Sequence, residues 1–218
     1  MMPLCSFFAA FLILSNLSLT SNSVGFYQLA KIMTTPCVVL FNFLLFRKTI
    51  TLEAGLSLVS LCFGVGLTNH NAAGSNPTGA MFAVAAFTTT AMYQIWISKK
   101  IKDFAVTSPQ LLMNQAPISV FLLALFVPAF DTIVDLRTIP PHRLIALFSS
   151  GLVASLLNLS QFLIIGRTSP LTFNVTSHIK TIIILTLGWI ADGRILSVQD
   201  LTGIVFAMGG AVAYSMLS

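Results

Sequence analysis

Eight apolar runs, set apart by short polar connections, occupy 3–20, 24–46, 54–70, 78–97, 107–129, 142–165, 170–190 and 199–217. Each comes near the ~20 residues that a helix needs to cross a bilayer. None shows the strict alternation of a barrel strand, so the pattern predicts helices. The connections 21–23, 47–53, 71–77, 98–106, 130–141, 166–169 and 191–198 are all too short to hold a domain outside the membrane. Any function must therefore sit within the helices. The run that starts at Met1 lacks a positive n-region and a cleavage site, so it reads as a span and not as a cleaved signal peptide.

Composition agrees with the pattern. Of 218 residues, 56% are hydrophobic and 8% charged, whereas soluble domains carry about 25% charged residues. Lipid offers the backbone no hydrogen bonds, which leaves an all-α polytopic membrane protein as the fold class. The net charge of +5 has a membrane explanation and does not call for nucleic acid. The second, fourth and sixth connections hold Arg47, Lys48, Lys99, Lys100, Lys102 and Arg167, while the odd-numbered set holds Arg137, Arg143 and Arg194 beside several aspartates. The positive-inside rule then places the even set and both termini in the cytosol. Cys5, Cys37 and Cys62 are scattered through apolar surroundings, so they indicate packing residues and neither a disulfide framework nor a metal site.

Two charges depart from this pattern. Lys31 lies eight residues into the second run and Lys180 eleven residues into the seventh. At 1.5 Å per residue, the shallower one is roughly 12 Å deep. A cation inside a bilayer costs at least about 2.5 kcal/mol, and all six acidic residues lie in connections or at span ends. Each lysine either snorkels to the headgroups or meets a counter-charge that arrives with a ligand. The second reading makes the pair a binding site for an anionic solute.

The surroundings of the two lysines repeat. Asn16-Leu17-Ser18 precedes the Lys31 run and Asn158-Leu159-Ser160 precedes the Lys180 run, and the two lysine spans run in opposite directions. This is the arrangement of an inverted repeat, which puts a substrate site at the repeat interface near mid-membrane. The expected halves are 1–75, with three spans, and 76–218, with five. Asn16, Tyr27, Asn158, Thr176 and Ser177 are the first choices for ligand contacts, because they lie near a lysine or match between halves. His178 suits a structural hydrogen bond. Pro36, Pro117 and Pro170 can bend their spans. Gly203, Ala207, Ala211 and Ser215 form a small-residue stripe for close helix approach. That stripe serves an internal contact or the face of a homodimer, and the internal contact is the expected one. No acid pair, HExxH or Ser/His arrangement lies in the spans, so an enzyme is not expected, and no cofactor is called for.

The stretches NSVGFYQLAK (22–31), AMYQIWISKK (91–100), NQAP (114–117) and SHIKT (177–181) resemble the nucleotide-sugar and triose-phosphate translocators of the drug/metabolite transporter superfamily. The likeness covers essentially the whole chain. Lys180-Thr181 resembles the subgroup with a Lys-Thr pair, many of whose members carry UDP-sugars; triose-phosphate carriers usually show Lys-Arg here. The resemblance implies an antiporter that exchanges a nucleotide sugar for a nucleoside monophosphate across the Golgi or endoplasmic reticulum membrane. Lys31 and Lys180 would hold phosphates, Asn114 and Gln115 would meet the base or sugar, and Asn16 and Asn158 would line the cavity. It also implies a ten-helix inverted-repeat fold, with this chain's first span at the place of the family's third, hence an N-terminally shortened version. Met113-Asn114 stands where the family often has two aromatics. The alternatives are a phosphorylated-metabolite or phosphate exchanger of the same family, and a truncated membrane protein that does not transport.

Overall fold

A computed structural model describes residues 1–70, 77–130, 140–174 and 197–217, together with 177, 180, 181 and 184. The described residues are helical apart from short connections, with no strand among them. The helices are α1 (Met2–Ser21), α2 (Val24–Ile32), α3 (Thr34–Phe46), α4 (Leu52–His70), α5 (Pro77–Phe104), α6 (Ser108–Phe130), α7 (Pro141–Arg167) and α8 (Val198–Leu217). A further helical piece, 170–174, begins the Lys180 segment, whose other described residues are helical as well. Among the described residues, five stretches are long and apolar enough to cross a membrane: α1, α2 with α3, α5, the part of α6 up to Phe126, and α7. The protein is an all-α polytopic membrane protein.

Apart from the run 170–190, most of which lies outside the described residues, the predicted runs and the helices agree closely, with one extension. Residues 98–104, expected in a connection, continue α5. Their side chains explain it: Lys100 pairs with Asp103 one turn on, at 3.1 Å, and the ammonium groups of Lys99 and Lys100 lie 5.0 and 5.3 Å from the Trp96 ring. Such contacts let a helix continue past the apolar zone. Ala105, at φ 49°, then ends it. Pro170 does not bend its span; it is the first helical residue, where a missing N–H is no loss. The Ser169 hydroxyl caps the turn by accepting from the Thr172 N–H at 3.2 Å.

The largest helix contacts run between the two expected halves, α4 against α8 and α1 against α5. The first brings Leu61 and Val65 against Ala207 and Ala211, with Ile32 of α2 alongside. Backbones approach here to the limit. A Cβ on Gly64 would strike the Ala207 N–H and the Gly203 carbonyl, and one on Gly210 would lie 2.6 Å from the Leu61 nitrogen. The small-residue stripe is thus an internal contact, made close by glycines on both helices. The second contact gathers Leu4, Tyr93, Ile97, Leu111, Phe162 and Ile165 into one cluster, with Phe11 stacked on Tyr93 and Phe8 tilted against it. Asn22 ties the end of α1 to the start of α5, its amide donating to the Gly79 carbonyl at 2.9 Å. By contrast α7 shows exposed Ile145, Phe148, Leu152 and Leu156 over several turns, the surface of a helix that meets lipid or another helix.

Candidate functional site

The second span is not one helix. Pro36 has no N–H to give to the Ile32 carbonyl, and its ring crowds that carbonyl. The helix accordingly breaks at Met33 (φ −64°, ψ −10°) into α2 and α3. The Met33 N–H closes a tight turn on the Ala30 carbonyl at 3.0 Å. At the other end, Ser23 caps α2 by accepting from the Phe26 N–H at 3.3 Å. Lys31 therefore sits in the last turn of a short helix, two residues before the break, where the partial negative charge of a helix C-terminus favours a cation.

The Lys31 ammonium lies 4.5 Å from the centre of the Tyr27 ring, one turn earlier. This cation–π contact holds part of the charge without a carboxylate. Beside it is a narrow cavity between α1, α2 and α5, lined by Ser15, Ser18, Tyr27, Lys31, Phe87 and Thr90 among others. Its volume of about 10 Å³ holds roughly one water, so this cavity as it stands does not admit a bulky solute.

Lys180 lies on a helical segment whose hydroxyls are turned onto their own backbone. The Ser177 hydroxyl donates to the Asn174 carbonyl at 2.7 Å, and that of Thr181 donates to the Ser177 carbonyl at 3.3 Å. Thr181 is buried, 4% exposed, while the neighbouring Lys180 side chain is exposed. Among the described residues neither lysine takes part in an ion pair; the one salt bridge there is Lys100–Asp103, at the end of α5. No group of three metal-ligating side chains occurs among them either. Two cations without an ion-pair partner among the described residues have the chemistry to accept an anion.

The other expected contacts fall in several places. Tyr27 is beside Lys31, and Ser177 and Thr181 flank Lys180. Asn16 is exposed on α1. The Asn158 amide donates to the Ala154 carbonyl of its own helix at 3.1 Å, and the exposed Asn114 does the same to Gln110 at 3.0 Å. Gln115, 1% exposed, is held in the α1–α5–α6 core, its amide donating to the Tyr93 hydroxyl at 3.1 Å. Thr176, like His178, lies outside the described residues. Sequence reasoning passed over Ser15, Ser18 and Thr90, which line the cavity beside Lys31. A signal existed for the first two: Ser15, Ser18 and Asn22 share one helix face at i, i+3 and i+7.

The profile of the Triose-phosphate Transporter family matches residues 1–215. The chain belongs to this family. Among curated relatives, UDP-xylose transporter 3 of Arabidopsis thaliana is 34% identical over 207 residues, covering 93% of this chain and 58% of the relative. UDP-rhamnose/UDP-galactose transporter 2 of the same plant is 33% identical over 205 residues, covering 92% of the chain and 59% of the relative. A GDP-mannose transporter from that plant is 27% identical over 219 residues, with 97% and 64% covered. The chain spans less than two thirds of the length of these relatives. Their names describe transporters of nucleotide sugars, not enzymes.

Proposed function

We propose that the chain is a nucleotide-sugar antiporter that exchanges a nucleotide sugar, best a UDP-sugar, for a nucleoside monophosphate across a Golgi or endoplasmic reticulum membrane. Both termini face the cytosol in this reading. The carrying observation is the pair Lys31 and Lys180: two cations within apolar runs, on spans that the sequence directs oppositely, with no ion-pair partner among the described residues. A diphosphate supplies the missing negative charge, and the sugar and base extend from it. Residues 1–75 and 76–218 act as the two repeats, which rock against each other about the lysines. The pairing of α1 with α5 and of α4 with α8 supports this, because both contacts join one repeat to the other. The relatives named for UDP-sugar transport support the substrate class.

Proteoliposomes that contain the chain and are loaded with UMP test the proposal. They should take up labelled UDP-xylose or UDP-galactose faster than liposomes without protein, and only when a nucleotide is inside. Lys180→Ala and Lys31→Ala should each weaken apparent substrate affinity by at least about tenfold, the scale of one hydrogen bond to a charged group. Exchange of triose phosphate or inorganic phosphate in place of nucleotide sugar would transfer the site to a phosphorylated metabolite. Unaltered uptake in both lysine variants would refute the role of the pair.

A further inference from the structure

A second pocket lies at the end of the bundle where α3 stops, α4 starts and α8 ends, apart from both lysines of the candidate site. Its volume is about 250 Å³, and Asn42, Lys48, Thr49, Thr51, Leu171 and Tyr214 are among its walls. Local backbone geometry builds it. Arg47 takes the left-handed conformation (φ 55°, ψ 27°) at the end of α3. The N–H groups of Arg47 and Lys48 return to the carbonyls of Phe43 and Asn42 at 2.9 and 3.4 Å. The chain thereby folds back, so that Lys48 and the two threonines stand beside Asn42. The Thr51 hydroxyl caps α4 by accepting from the Ala54 N–H at 3.3 Å, and retains a proton to donate.

Tyr214 is the informative wall. Its side chain is 1% exposed, packed on Val39, Ala54, Leu58 and Leu171, and its buried hydroxyl has no hydrogen-bond partner among the described residues. An unmatched hydroxyl in an apolar setting is unfavourable, and a ligand acceptor would relieve it. The polar side chains of the pocket all bring donors: an ammonium, an amide and hydroxyls. Charge around it is positive as well. Arg47 adjoins Lys48, and the Lys99 ammonium lies 5.7 Å from the Phe46 ring at the same end of α3; the opposing carboxylate nearby is exposed Glu53 in the first turn of α4.

We propose that this pocket is a second binding site, for a phosphate-bearing group. Lys48 neutralises the charge, while Asn42, Thr49, Thr51 and Tyr214 donate to the oxygens. Basic pockets between membrane helices at the interface suit lipid headgroups, and a phosphorylated solute presents the same oxygens. The purified 218-residue chain in detergent, without transport, tests it. Dioleoyl phosphatidic acid and dioleoylglycerol are offered separately and retention is read by native mass spectrometry; inorganic phosphate is titrated by thermal shift. Lys48→Gln should weaken phosphate-dependent binding about tenfold and Tyr214→Phe about threefold. Lys102→Gln, an equal loss of charge on the end of α5, should stay within about twofold. Retention of phosphatidic acid without a response to phosphate identifies a lipid, and a response to phosphate identifies a solute; either supports the site. Retention of dioleoylglycerol as strong as that of phosphatidic acid, binding of neither phosphate probe, or an equal fall in Lys102→Gln overturns it. Since the readout is binding, its failure would leave the exchange reaction and the Lys31–Lys180 pair untouched.

Discussion

Gly209 and Gly210 are neighbours in α8, and alanine should have opposite effects at the two. At Gly210 a Cβ would stand 2.6 Å from both the Ser57 carbonyl oxygen and the Leu61 nitrogen of α4, and 3.0 Å from the Leu61 Cα. These are backbone atoms, so no rotamer change can relieve the clash. Restoring ordinary contact requires α4 and α8 to part by about 0.8 Å, which thins the dispersion contacts along the interface. Overpacking of this kind costs about 1–3 kcal/mol. Alanine recovers up to about 1 kcal/mol through its helix propensity, so Gly210→Ala is net destabilising by about 0–2 kcal/mol. At Gly209 nothing lies within 4 Å of the added methyl, and only the propensity gain of about 1 kcal/mol remains. The two variants should therefore differ by about 1–3 kcal/mol. Thermal unfolding in one detergent, followed by far-ultraviolet circular dichroism, measures this, at about 2–4 °C per kcal/mol for a chain of this size. Equal midpoints, or a Gly210→Ala midpoint above that of Gly209→Ala, would show that α4 and α8 do not pack as closely as described.

Three further outcomes follow from particular contacts. Tyr93→Phe leaves the Gln115 amide buried without the hydroxyl it donates to, and should lower stability by about 1–3 kcal/mol; the double variant Tyr93→Phe/Gln115→Leu should recover part of the loss, and strict additivity in unfolding midpoints would disprove the coupling. Asn22→Ala removes the amide bonds to the Ser18 and Gly79 carbonyls and should cost about 1–3 kcal/mol, with earlier proteolysis in the connection between α1 and α2 as the local readout. Pro36→Ala returns an N–H to the Ile32 carbonyl and should let α2 and α3 join; the expected result is a raised unfolding midpoint with slower exchange in proteoliposomes, and an unchanged exchange rate would mean that the break at Met33 has no part in transport.

Much of the architecture was legible in sequence because a bilayer constrains the backbone so strongly. Apolar runs near span length had to become helices, and apart from 170–190, most of which lies outside the described residues, the structure returns them within a few residues. Pro36 marked a possible bend in the second span, but Pro117 carried the same signal and α6 runs on through it, so which proline breaks its helix was settled by packing. The stripe of Gly203, Ala207 and Ala211 also announced a close contact. What it could not announce was the partner: Gly64 on α4 is 139 positions away from Gly203, and no local pattern links them. The site residues divide in the same way. Tyr27 with Lys31 is a one-turn relation that helical spacing supplies. Gln115 looked like its neighbour Asn114, yet one is 1% exposed and bonded to Tyr93 while the other faces outward.

The sequence by itself determined the fold class, most of the span positions and the two lysines without a carboxylate in their spans. These depend on hydropathy, covalent geometry and charge, which are properties of residues and their near neighbours. Tertiary structure decided which helices pair and which polar side chains are occupied by other side chains. It also decided that Lys48 and Tyr214, far apart in the chain, share a pocket. Each of these is a relation between distant segments, set by how side chains interlock when helices pack, and interlocking leaves no periodic trace along one strand of sequence.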